Sequence, residues 1–146
     1  MIRLTRHTDY GIALLTHMAM ENDGRVFSAR GLADATGLPQ AMVGKILNEL
    51  SRAGVLESQR GAQGGYFLAD DPDAIFVDKI IAALEGPIAL AECLEETAAI
   101  CEHADTCCAQ SAWRVINNVV KEALSTISLA DLIPPAVAAA DRKESL

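Results

Sequence analysis

Apolar residues recur every three or four positions near the start of the chain: Tyr10, Leu14 and Met18 share one helical face, with Gly11, Leu15 and Ala19 beside them. That period predicts an amphipathic helix from about Thr5 or Thr8 to Met20, ended by Glu21-Asn22-Asp23-Gly24. Past Val26-Phe27, Ser28 is a good N-cap. Ala29 to Thr36 then reads as a second helix, closed by Gly37 just past its end. Pro39 suits the first turn of a third helix. This helix runs to Arg52, carries Val43, Ile46, Leu47 and Leu50 inward, and stops at Ala53-Gly54.

After Gly54 the alternation becomes strand-like. Val55 to Arg60 and Tyr66 to Ala69 flank Gly61-Ala62-Gln63-Gly64-Gly65, so a glycine-rich hairpin follows the third helix directly. Three helices followed by a hairpin make a helix-turn-helix with a wing. Asp70-Asp71-Pro72-Asp73 is a connector, and Val77 to Glu85 is a compact apolar helix stopped by Gly86-Pro87. Residues 88–108 lack helical periodicity. From about Ala109 to Ile127 comes the longest periodic segment, with Trp113, Ile116, Val120, Ala123 or Leu124, and Ile127 three and four apart. So long an apolar seam needs a partner; the simplest is the same helix of a second chain, and the alternative is the chain's own first domain. The expected fold class is mainly α with a small β wing, a winged helix-turn-helix plus a long dimerisation helix. Its expected divisions are 1–69 (DNA-binding domain), 70–87 (connector and short helix), 88–108 (cysteine loop), 109–133 (dimerisation helix and end segment) and 134–146 (disordered tail).

With 146 residues, one ordinary domain is the expectation, and 51% hydrophobic residues with 22% charged exclude a disordered chain. Aromatics at 4% leave Leu, Ile, Val and Ala to fill the core. Without an apolar signal core or a long uncharged run, the chain reads as cytoplasmic and not membrane-bound. A net charge of -8 argues against nucleic acid until its location is considered. The first 68 residues carry seven Lys and Arg against six acids, and the remainder carries five against fourteen. A near-neutral, Arg-dotted front half is compatible with DNA reading, joined to an acidic sensing or assembly half.

The third helix offers Gln40, Ala41, Gly44, Lys45 and Asn48 outward to a major groove of double-stranded DNA. Gln and Asn can pair with adenine edges, Lys45 can take a phosphate or a guanine, and Ala41 and Gly44 leave room for close approach. The bland reading of these residues is the solvated face of a packed helix. Arg60, at the base of the glycine turn, suits a narrow minor groove or a phosphate; otherwise it is a surface residue paired with Glu57. All four cysteines, Cys93, Cys101, Cys107 and Cys108, fall within one short stretch. In a reducing compartment such a cluster is more often metal-binding or redox-active than disulfide-bonded. Structural zinc sites pair ligands about two to four residues apart, and no such pair exists here, Cys93, Cys101 and Cys107 being more widely spaced and Cys108 adjacent to Cys107. An iron-sulfur cluster, whose thiolates arrive from several directions, fits an irregular loop better. His103, between two of the cysteines, is a further candidate ligand, whereas His7 and His17 read as surface or packing residues. The acids Glu92, Glu95, Glu96, Glu102 and Asp105 read as solvated loop surface. No nucleophile-base-orienter set, phosphate loop or spaced carboxylate pair supports an enzyme or a small-molecule substrate.

The run Leu4-Thr5 through Thr8-Asp9-Tyr10-Gly11, the stretch Leu47 to Leu56, the wing Arg60 to Tyr66, then Leu84-Glu85-Gly86-Pro87 and Ser128-Leu129-Ala130-Asp131-Leu132 together resemble the Rrf-type winged-helix regulators. These include the iron-sulfur regulator IscR and the nitric-oxide sensor NsrR, and the chain is most similar to the SUF-system cluster-assembly regulators. The resemblance implies a homodimer joined through the long helix, reading a palindromic operator. It further implies one iron-sulfur cluster per subunit, 2Fe-2S as first choice and 4Fe-4S as alternative, on Cys93, Cys101 and Cys107. The first cysteine gap holds seven residues where many members have five. IscR-like members place a histidine three residues after the last cysteine, where this chain has Gln110; NsrR-like members use an aspartate near the start of the first helix, which matches Asp9. The expected function is a DNA-binding repressor that reports iron-sulfur supply or redox and nitrosative stress and controls cluster-assembly genes. The alternatives are a metal-free or zinc-stabilised DNA-binding regulator and an iron-sulfur electron-transfer protein.

Overall fold

The structure, a computed structural model, describes residues 3–94, 101 and 106–135. Helix α1 spans Arg6–Met20, with the Thr5 side chain accepting from the Thr8 amide as its cap. Helix α2 spans Ala29–Thr36, capped by Ser28 and closed by Gly37 in the left-handed region at φ 71°, where glycine alone avoids a Cβ penalty. Helix α3 spans Gln40–Arg52. Pro39 is its N-cap, one position earlier than expected, because its extended ψ of 126° keeps it outside the helix.

Strands β1 (Leu56–Gln59) and β2 (Gly65–Leu68) form the wing, antiparallel and in register from Leu56 opposite Leu68 to Gln59 opposite Gly65. The wing is more than a hairpin. Phe27, just before α2, exchanges backbone hydrogen bonds with Tyr66 at 2.8 and 2.7 Å, tying β2 to the helix-turn-helix. A Cβ at Gly65 would meet the Phe27 carbonyl, so this approach requires glycine.

Helix α4 spans Val77–Glu85 and α5 spans Gln110–Ser125, with short 3-10 turns at Pro72–Ala74, Glu92–Leu94 and Ala130–Leu132. The core gathers Leu14, Leu15 and Met18 of α1, Leu32 of α2, Val43, Ile46, Leu47 and Leu50 of α3, Leu56 of the wing, Ile80 of α4 and Leu129. After α5 the chain returns to α4: the Val77 amide donates to Ile127 and the Leu129 amide to Ile75, at 2.9 and 2.7 Å. Asp131 secures this return by accepting from the amide and hydroxyl of Ser128.

The carboxylate of Glu85, at the end of α4, accepts three hydrogen bonds on one oxygen, from the Thr5 amide, the Thr5 hydroxyl and the buried Thr8 hydroxyl, at 2.8, 2.9 and 2.6 Å. The Thr8 hydroxyl, then the Thr5 amide and hydroxyl, hold the Glu85 carboxyl below its ordinary value of 4.5 against the opposing effect of burial. Because its folded value lies below its unfolded one, Glu85 stabilises the fold above pH 4.5, and this contribution is lost as pH falls through and below that value. Glu85→Gln is therefore expected to flatten the acid limb of stability against pH, read as urea midpoints between neutral pH and pH 3 or so.

Candidate nucleic-acid interface and cysteine segment

Burial of Val43, Ile46, Leu47 and Leu50 fixes which side of α3 faces away from the core. Gln40, Ala41, Lys45 and Asn48 are all exposed on that side and Gly44 is half-buried. Arg52, four residues after Asn48, continues the exposed stripe at the end of the helix. In the sequence Arg52 reads only as the last residue of the third helix, although its i+4 spacing from Asn48 was the available signal. The single acid inside α3, Glu49, is half-buried and its carboxylate is engaged by the His7 ring of α1. Among the described residues Lys45, Arg52 and Arg60 make no ion pair; in particular Arg60 is not paired with Glu57. His17 lies edge-on to Phe27 at 6.5 Å, in the packing role expected of it.

A Cβ on Gly44 would touch nothing within 4 Å. Since glycine in a helix interior costs about 1 kcal/mol relative to alanine, Gly44→Ala is expected to stabilise the free protein in denaturant titrations. A simultaneous loss of operator affinity locates the reason for glycine in close approach to DNA; undiminished affinity removes Gly44 from the interface. Arg60→Ala is expected to weaken operator binding and to shallow its dependence on salt by about one phosphate equivalent, a slope change of roughly 0.9. Fluorescence anisotropy across a salt series measures both.

The cysteines are free thiols: Cys93 on the Glu92–Leu94 turn and Cys101 are half-buried, while Cys107 and Cys108 are exposed just ahead of α5. Ala109, the N-cap residue of α5, contributes no side-chain cap, and the partial positive charge of a helix N-terminus favours an anionic group nearby. Asp9 is exposed on the first turn of α1. Residues 95–100 and 102–105, which include Glu95, Glu96, Glu102, His103 and Asp105, lie outside the described residues, as do 136–146 of the expected tail. Among the described residues no three His, Cys, Asp or Glu side chains converge on a metal-sized site within one chain. The donor types nevertheless fit an iron-sulfur cluster, being three thiolates spread along one segment with a carboxylate available from elsewhere. The segment itself is fastened to α5 by Asn117, 5% exposed, which accepts from the Leu90 amide at 3.0 Å and donates to the Ile88 carbonyl at 3.2 Å.

The opposite side of α5 is bare. Val115 and Val119 there are 64% and 60% exposed; nearer the Asn117 side Ile116 is 45% and Trp113 40% exposed, whereas Val120 and Leu124 are half-buried.

A winged helix-turn-helix that displays an unobstructed third helix and an Arg-bearing wing defines a DNA-binding transcriptional regulator. The chain belongs to the Rrf2 family, whose model, described as an iron-dependent transcriptional regulator, matches residues 4–135. It is 32% identical over 123 residues to the HTH-type transcriptional regulator CymR of Bacillus subtilis, covering 84% of this chain and 83% of the relative. The solved structure of that global cysteine regulator superposes with a TM-score of 0.69 at 32% identity, covering 90% of this chain and 96% of the other. T. potens IscR is similar at TM-score 0.66 and 27% identity, covering 90% and 85%. These relatives are regulators rather than enzymes. Among the described residues no helix is long and apolar enough to cross a membrane.

Proposed function

We propose that this Rrf2 regulator is a repressor that binds a palindromic operator as a homodimer and responds to iron-sulfur supply or to oxidative and nitrosative stress, controlling cluster-assembly genes. Cys93, Cys101 and Cys107 would hold the cluster, with Asp9 of the second copy as fourth ligand. The observation that carries this reading is the crowding of the free thiols into the segment that leads to the start of α5. When bound, such a cluster supplies a redox- and nitric-oxide-reactive centre. Asp9, a hard oxygen donor, would hold iron less tightly than the thiolates do. Asp9 lies on the helix that packs against α3, so as a ligand it would connect the DNA-binding domain to the cysteine segment. Gln40, Ala41, Gly44, Lys45 and Asn48 read the major groove, and Arg60 takes a phosphate or the minor groove beside it.

The likeness to a global cysteine regulator favours a second reading, in which the same fold responds to cysteine status and carries no cluster. An anaerobic visible spectrum with iron and sulfide stoichiometry separates the two. Colour with iron and sulfide near equimolar supports the cluster; a colourless protein with an intact operator response supports the second reading.

A further inference from the structure

We propose that Asn117, Glu85 and Thr8 are positioning residues for DNA reading, joining the Cys93 segment to the recognition helix through polar contacts linked by short stretches of backbone. Asn117 of α5 holds the backbone at Ile88 and Leu90, immediately before the turn that bears Cys93. Glu85 lies three residues ahead of Ile88, and the link between them is short: the Gly86 amide closes α4 onto Ala82 at 3.0 Å, and Pro87 fixes its own φ. The Glu85 carboxylate grips the first turn of α1 through Thr5 and Thr8. His7, in that same turn, pairs with Glu49 on α3, whose far side is the exposed stripe. The two helices also touch through Gly11, where a Cβ would meet both Leu84 of α4 and Ile46 of α3.

A displacement of the 88–94 segment therefore moves Glu85, and Glu85 cannot move without breaking or dragging its bonds to α1. Packed interiors pass on such shifts because they deform in discrete steps and absorb little. The relay requires only that α3 meets DNA, and it holds whatever the cysteines bind.

The test is a double-variant cycle on the full chain, with Thr8→Val, which keeps the side-chain shape and removes the hydroxyl, and Asn117→Ala. Hydrogen exchange by mass spectrometry needs neither cluster nor DNA. Asn117→Ala is expected to speed exchange in the first turn of α1 by about threefold or more, and Thr8→Val to speed it reciprocally at Leu90, as coupling between sites demands. On a duplex selected by the wild-type protein from a random pool, the double variant loses less affinity than the product of the single losses. Thr8→Ser restores both readouts. Should Asn117→Ala fail to fold, Asn117→Asp keeps the acceptor for Leu90 and loses the donor to Ile88, and the same reciprocity is expected. Exchange that rises only beside each substitution, or affinity losses that simply multiply, overturns the relay. Either result leaves the cluster reading to its own spectrum.

Discussion

Replacing any one of Cys93, Cys101 and Cys107 by alanine is expected to leave the anaerobically purified protein colourless, while Cys108→Ala keeps most of its visible absorbance. The thiolate is the ligand, and alanine offers no donor in its place. Cys108 adjoins Cys107 ahead of α5, outside the helix, and is the one cysteine that the proposed ligand set leaves out. Asp9→Ala is expected to retain a cluster with an altered spectrum, because three thiolates remain, and to bind operator with little regard for cluster state. Loss of colour in Cys108→Ala as complete as in the other three variants overturns the ligand assignment. An unaltered spectrum and response in Asp9→Ala makes His103 the next candidate.

Val119→Asp is expected to convert a dimer into a monomer and to lower operator affinity by about 10²-fold or more, the usual return from joining two binding modules. Val119 is 60% exposed on a folded chain, so the substitution leaves the core intact. A carboxylate buried against a second apolar helix, by contrast, has no partner for its charge. Sedimentation velocity reads the assembly, anisotropy on one and two half-sites reads the affinity, and circular dichroism verifies that α5 persists. A Val119→Asp protein that remains dimeric places the subunit interface elsewhere.

The local elements were legible because their causes are local. Helical spacing in α1, α3 and α4, the Ser28 and Gly37 ends of α2, and the glycine turn of the wing each depend on residues within a few positions of one another. The outward face of α3 followed from its buried stripe, and the family from motifs spread along the chain. Free thiols in one short stretch were visible by counting.

Contacts between distant residues left no such trace. Glu85 and Thr5 are 80 positions apart, His7 and Glu49 are 42, and Asn117 and Ile88 are 29. Nothing in the neighbourhood of Asn117 distinguishes it from the exposed Asn118 beside it. Its burial is decided by the Ile88 and Leu90 backbone groups, which need a donor and an acceptor once they leave water. Phe27 likewise reads as a connector until Tyr66 arrives to share its amide and carbonyl. Residue order thus determined the elements and their exposed faces, since periodicity and capping act over a single turn. Only the tertiary structure decided how the cysteine segment, α1 and α3 are tied together, since buried polar groups take whichever partner the packing brings within reach.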